Sequence, residues 1–179
     1  MGIKKIVITG GPGSGKSTLI SALAKRGYAC REEISRSITI KAKKEGIAQL
    51  FLTQPLLFSN LLLKGRLKQY TDAHLLNKEV VFLDRGLPDI LAYMDYIGES
   101  YPSHYIEVCQ AHVYDNVFML KPWEAIYTTD TERYEGFDQA LEIHDCLINT
   151  YQKHQYPLID VPFDTVENRV DFILKSLNL

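Results

Sequence analysis

Cysteine is scarce in this chain, and what there is lies scattered. Cys30, Cys109 and Cys146 are three in number and far apart, which fits free thiols in a reducing compartment and argues against a disulfide framework or a zinc site. A cytoplasmic location is therefore expected. Excess positive charge is also missing: Lys and Arg number 20 against 22 Asp and Glu, a formal net charge of −2. With no basic run carrying interleaved aromatics, a protein whose main task is gripping nucleic acid is not expected. Apolar clusters such as residues 61–63 are too short to span a bilayer. Residues 1–8 run into a strand pattern without the long apolar stretch of a secretory signal, so no membrane role is expected. The five histidines show no metal-binding spacing and read as structural. Repeats, linkers and low-complexity tracts are absent.

What remains is an ordinary globular composition, with 46% hydrophobic and 23% charged residues, in a chain that fits one domain spanning 1–179. Residues 5–9 form a β-branched apolar run ending at Gly10 and Gly11, the pattern of a buried parallel strand entering a tight loop. Leu19, Ile20, Leu23 and Ala24 then recur at helical spacing, and Gly27 stands where that helix would stop. The pattern goes on to predict a strand over 28–33, a helix over 35–44, and one long or two short helices over 54–76. Next come a strand over 80–83, a helix from Pro88 through Ile97, a helix over 102–111 and a strand over 117–120. A long helix over 137–155, a strand over 159–161 and a C-terminal helix complete the chain. That last helix carries the stripe Val166, Val170, Ile173, Leu174 and Leu177, with Asp164 or Thr165 as its cap. Strands alternating with helices mean an α/β fold with a mostly parallel sheet.

The most specific feature is Gly10-Gly11-Pro12-Gly13-Ser14-Gly15-Lys16-Ser17, which satisfies G-x-x-x-x-G-K-[ST] between a strand and a helix. Small residues let the backbone curl until several N–H groups point inward, and the following helix adds its positive N-terminal end. Gly11, Pro12, Gly13, Ser14, Gly15, Lys16, Ser17 and Thr18 are thus candidates to hold the phosphates of ATP. Lys16 would bridge the β- and γ-phosphates and the Ser17 hydroxyl would ligate Mg²⁺. Asp84, at the carboxyl end of a strand, is the candidate second metal contact; the alternative is a capping aspartate. Glu33 ends the preceding strand and is a candidate general base, or else a favourable charge at a helix start. Glu32 is expected to face the opposite way if the strand stays extended. Arg36 and Arg85 are candidates for binding an acceptor phosphate or carboxylate through their bidentate forks, or else solvated surface arginines, and Asp89 caps or charges the helix that Pro88 begins.

Together these residues resemble predicted P-loop ATPases of the AAA-like type, similar to nucleoside and nucleotide kinases and to the kinase domain of the bifunctional regulator of NAD biosynthesis. The resemblance covers nearly the whole chain. It rests on ITGGPGSGKSTL from Ile8, EEISR from Glu32, FLDRGLPDILAY from Phe82, KPWEAIYTTDTER from Lys121, and VPFDTVENRV near the end. It implies a three-layer α/β/α fold with a parallel sheet of order 2-3-1-4-5 and a lid over about 121–137. In that lid Arg133 would approach the γ-phosphate, while Trp123, Tyr127 and Asp130 shape the closed site. Phe163, in the loop after the last strand, would stack on adenine. The expected activity is phosphoryl transfer from ATP and Mg²⁺ to an unknown small-molecule acceptor. The alternative is a nucleotide-hydrolysing switch acting on a protein partner. A guanine-specific reading of Asn77-Lys78-Glu79-Val80 fails because Val80 replaces the acid that would contact the base.

Overall fold

The computed structural model describes residues 2–127 and 136–179. The apolar run near the N-terminus forms β1 (Lys4–Gly10), in which Ile6, Val7 and Ile8 have no solvent exposure. A strand this apolar on both faces is stable only when both are covered, as in parallel sheets. Each such side chain contributes about 1.5–3 kcal/mol relative to leaving it in water. β1 pairs in parallel with β3 (Val80–Asp84) on one side, Ile6 opposite Phe82, and with β4 (Asn116–Leu120) on the other, Ile8 opposite Phe118. β2 (Ala29–Arg31) and β5 (Leu158–Val161) complete an all-parallel sheet of order β2-β3-β1-β4-β5.

The period of two sorts the strand residues between two cores. Ile6, Ile8, Phe82, Phe118, Leu120 and Val161 meet α1 (Lys16–Lys25) and α8 (Val166–Ser176) through Leu19, Leu23, Val170 and Ile173. Val7, Val81, Leu83, Val117 and Met119 face α4 (Pro55–Thr71), α5 (Pro88–Tyr96), α6 (His104–Ala111) and α7 (Phe137–Lys153). The result is a three-layer α/β/α arrangement. Thr165 caps α8, its hydroxyl accepting from the Asn168 N–H at 3.2 Å, and Asp164 accepts from the Asn168 side chain at 2.8 Å.

Several boundaries differ from the sequence pattern. The expected 54–76 helix divides into α4 and a 3₁₀ turn at Asp72–Leu76, preceded by the short α3 (Leu50–Thr53). Pro55 starts α4 because its missing N–H costs nothing at a first turn. β2 stops at Arg31, so Glu32 and Glu33 are not a strand's alternating pair, and both line the same cavity. The expectation that Glu32 faces away applied to a strand extended through it, and β2 ends one residue earlier. Between them, α2 (Ser35–Lys44), α3 and α4 build one wall of that cavity. Among the described residues no helix is long and apolar enough to cross a membrane.

Candidate functional site

β1 lies where the chain changes direction in the sheet: the chain goes from it toward β3 and β2, and later returns to β4 and β5 on its other side. Such a switch point opens a crevice at the carboxyl ends of the strands. The loop after β1 fills it. Gly13 and Gly15 have φ of 70° and 85°, a left-handed backbone that glycine adopts without steric cost. Close approach matters as much at Gly13, where an added Cβ would sit 2.2 Å from Cδ2 of Tyr127. The Ser14 hydroxyl donates to the Gly11 carbonyl at 2.9 Å, and Lys16 Nζ donates to the same carbonyl at 2.7 Å and to Ser14 Oγ at 3.2 Å. The ammonium therefore rests on its own loop. Burial, with Arg85 nearby, lowers its pKa to about 7.

Next to the loop, β3 ends in Asp84 with 3% exposure, and its Oδ1 has no hydrogen-bond partner. Burial and the neighbouring Glu33 raise this carboxyl to about 6. An unpartnered buried carboxylate oxygen is costly unless a cation or donor meets it. Among the described residues no group of three or more His, Cys, Asp or Glu is arranged to hold a metal ion. Mg²⁺ at phosphates, however, needs only one or two protein oxygens, so Asp84 and Ser17 fit the requirement.

Arg85 follows in the left-handed region at φ 73° and is buried. Its guanidinium fans out to four partners. Nε donates to Glu33 Oε1 at 2.8 Å, Nη1 to the Gly10 carbonyl at 3.2 Å and to Asp89 Oδ1 at 3.1 Å, and Nη2 to the Tyr93 hydroxyl at 3.3 Å. Burial pushes the Glu33 carboxyl upward, but the cations Arg85, Lys16 and Arg66 outweigh it and hold the group down at about 2. Asp89 does more than charge a helix start. It is fully buried and accepts from Gly86 N–H, as a cap would, but also from Thr9, Arg85 and Tyr151.

These groups open onto a cavity of about 1070 Å³ that runs from Pro12–Thr18 past Glu33, Asp84 and Arg85 to Phe51, Phe58, Tyr93 and Tyr96. Lys16, Glu33, Asp84 and Arg85 are thus brought together, and Arg36 stands on the outer wall of the same cavity on α2. Phe163 lies apart from them. It is 52% exposed, not core, and stacks on Trp123 with ring centroids 5.1 Å apart. Arg133 and Asp130 lie outside the described residues.

Two arginines escaped the sequence reading. Arg169 of α8 is 3% exposed, donates to the Ser14 carbonyl at 3.2 Å and lies 5.8 Å from the Trp123 ring centre, joining the loop to the Trp123–Phe163 stack. Arg66 of α4, equally buried, donates to the Gly86 carbonyl at 2.9 Å and lines the cavity. Arg169 falls on the buried stripe of α8 beside Val170, and Arg66 is among the few buried residues of α4, after Leu62 and Leu63. A charge at a core position was the available signal.

The fold recurs in solved structures. A deoxyadenosine kinase from M. mycoides superposes with a TM-score of 0.71 at 20% identity, over 97% of this chain and 98% of that one. The NadR protein in complex with NR gives 0.78 at 14%, over 99% of this chain but 52% of its own. Thymidylate kinase from Ehrlichia chaffeensis gives 0.62 at 20%, over 99% and 100%. No curated protein sequence matches the chain. The AAA domain family, in contrast, matches residues 5–169, from β1 through the arginine that touches the phosphate loop. With the glycine-rich loop seated between β1 and α1 on a kinase-like α/β/α fold, the chain belongs to the AAA domain family of P-loop proteins.

Proposed function

We propose that this chain is a single-domain phosphotransferase that moves the γ-phosphoryl group of ATP to the hydroxyl of a small acceptor of nucleoside character. The observation that carries this reading is the shared cavity. The glycine-rich loop with Lys16 forms one end of it, and a carboxylate held by an arginine, Glu33 with Arg85, stands beside that loop toward an aromatic-lined wall. A switch that only hydrolysed nucleotide would have no use for a chamber of about 1070 Å³ running beyond its phosphate loop.

In this reading the amides of Gly11–Thr18 and Lys16 bind the β- and γ-phosphates. Asp84 and Ser17 would hold Mg²⁺, which would supply charge neutralisation on the phosphates. Glu33, kept ionised by Arg85, accepts a hydrogen bond from the acceptor hydroxyl and so orients its oxygen toward phosphorus. As the new P–O bond forms and the bond to the β-phosphate oxygen breaks, Glu33 takes the hydroxyl proton, leaving ADP and a phosphorylated acceptor. A carboxylate at this place repels an acceptor that presents phosphate, which favours a neutral hydroxyl. Phe51, Phe58, Tyr93 and Tyr96 offer flat apolar surface to a base or similar ring. Phe163, stacked on Trp123 beside Arg169, would take the adenine of ATP, and Arg133 of the lid at 121–137 would reach the γ-phosphate. The solved kinase of similar fold that is named for deoxyadenosine supports the acceptor class.

The test is incubation with γ-labelled ATP and Mg²⁺, with and without pools of nucleosides, nucleotides, vitamins and sugars. Label should pass to a hydroxyl of one nucleoside-like compound, and Lys16→Ala should abolish it, because charge-assisted bonds of about 1.5–3 kcal/mol each vanish together with transition-state stabilisation. Hydrolysis to inorganic phosphate alone, unchanged by every pool, would overturn the proposal.

A further inference from the structure

Asp89 is surrounded by donors only. Its Oδ1 accepts from the Thr9 hydroxyl at 2.5 Å and from Arg85 Nη1 at 3.1 Å. Its Oδ2 accepts from the Gly86 N–H at 2.9 Å and from the Tyr151 hydroxyl at 2.6 Å. Two of these, a backbone N–H and a guanidinium N–H, cannot reverse their role, and one stands at each oxygen. Only an ionised carboxylate can satisfy both at once. An asparagine, in either orientation, would turn an NH₂ toward one of them. The site is fully buried, so a mismatch there cannot be repaired by water.

The four donors come from three separate parts of the fold. Thr9 belongs to β1, just before the glycine-rich loop; Arg85 and Gly86 to the turn after β3; Tyr151 to the far half of α7. Tyr151 has no solvent exposure and is wedged against the turn, since a Cβ added at Gly86 would lie 2.6 Å from its hydroxyl. The same helix presses the Ala140 carbonyl against Gly11, where an added Cβ would lie 2.7 Å away. Glu33, by contrast, follows the three-residue edge strand β2 and is only part-buried. Its firm contact is Arg85, whose fork is held by Asp89 together with the Gly10 carbonyl and the Tyr93 hydroxyl.

We infer that Asp89, locked by Tyr151, is a positioning residue that fixes the Arg85 guanidinium and through it aims the Glu33 carboxylate at the acceptor. This rests on the reading that Glu33 faces the acceptor; the Asp89–Arg85 restraint itself is measurable without any ligand. The groups that face Glu33 are Arg85, Lys16 of α1, Arg66 of α4, Asp84 of β3 and Ser35 of α2. Arg85 is the one among them whose orientation Asp89 holds.

Nitrogen-15 spectra of the arginine side chains in the unliganded protein test the restraint, with the Arg85 signals assigned by comparison with Arg85→Lys. In the native protein, hindered rotation about the Nε–Cζ bond keeps the two Nη signals of Arg85 apart. Asp89→Asn should speed this rotation at least ten-fold and merge them. Tyr151→Phe, which deletes one hydroxyl and leaves the ring in the core, should speed it about three-fold and decides the matter if Asp89→Asn does not fold. Unchanged, separate Nη signals in folded Tyr151→Phe would overturn the inference. In transfer assays with γ-labelled ATP and the nucleoside pool, Tyr151→Phe should lower kcat several-fold while KM for Mg-ATP stays within two-fold, as expected of misaimed chemistry and not of a damaged phosphate loop. A native protein that never transfers label would sink the functional reading and leave the guanidinium result standing.

Discussion

Burial has pushed two side chains at the phosphate end of the cavity toward neutrality, Lys16 down to about 7 and Asp84 up to about 6. Both shifts reverse when the missing charges arrive. Polyphosphate favours the ammonium, so binding at pH 8, where Lys16 is mostly neutral, should take up protons. A divalent cation favours the carboxylate, so binding at pH 5.5, where Asp84 is mostly protonated, should release them. Calorimetric titration of Mg-ATP in two buffers of different ionisation enthalpy should therefore show proton exchange that changes sign between these pH values. No buffer dependence at either pH would mean that neither group meets its expected counter-charge.

Asp84 makes a second prediction through stability. Its folded pKa lies above its unfolded value near 3.8, so the ionised form destabilises the unliganded fold. The penalty is fully present above pH 6 and disappears as pH falls toward 4. Asp84→Asn should then raise the unliganded protein's stability by about 1–3 kcal/mol at pH 8 and by much less at pH 5, while weakening Mg-ATP binding. Thermal melts of the two proteins at both pH values check it.

At the scale of elements, the long apolar strands and the glycine-rich loop were legible because their signals are local. The β-branched run of β1, the glycines of the loop and the stripe of α8 each carry their cause in neighbouring residues. Less legible were the ends governed by distant partners. β2 is short because it pairs only with β3 at the sheet edge. α4 lacks a one-sided stripe because it meets the core, the cavity and solvent on different sides, with Leu62 buried, Phe58 on the cavity and Leu61 exposed. Glu33 and Asp84 could be nominated from strand ends. The reach of Arg169, 155 positions along the chain from Ser14, follows from sheet order and could not be read locally. That reach makes α8 part of the loop's support. Thr165→Ala removes its cap at a cost of about 1 kcal/mol. Arg169→Leu keeps the helix but deletes the bond to Ser14 and the charge beside Trp123. If α8 serves the loop through Arg169, Arg169→Leu should weaken Mg-ATP binding about ten-fold, whereas Thr165→Ala should lower the melting temperature by a few degrees and leave affinity nearly unchanged. Equal affinities for both variants would reduce Arg169 to packing.

For the molecule as a whole, the glycine-rich loop is held by contacts from both helical layers. α8 reaches it through Arg169 and α7 through Ala140, while β1 and β3 bring in Thr9, Asp84 and Arg85. Within the loop Lys16 donates to the Gly11 carbonyl, and Gly13 lies against Tyr127. Ligand that draws Lys16 onto phosphate oxygens binds the folded state alone, so it must stabilise every element tied to the loop. Mass action sets the size: free ligand at a hundred times its Kd adds about 2.7 kcal/mol, which for a chain of this length raises Tm by roughly 5–10 °C. The shift should appear with Mg-ATP and fall sharply when the metal is removed with chelator, because Asp84 then stays an unpaired carboxylate beside the phosphates. Lys16→Ala and Gly13→Ala should both abolish it, the first by deleting the counter-charge and the second because a methyl at φ 70° has no room beside Tyr127. A full Tm shift in Gly13→Ala would place the nucleotide somewhere other than this loop.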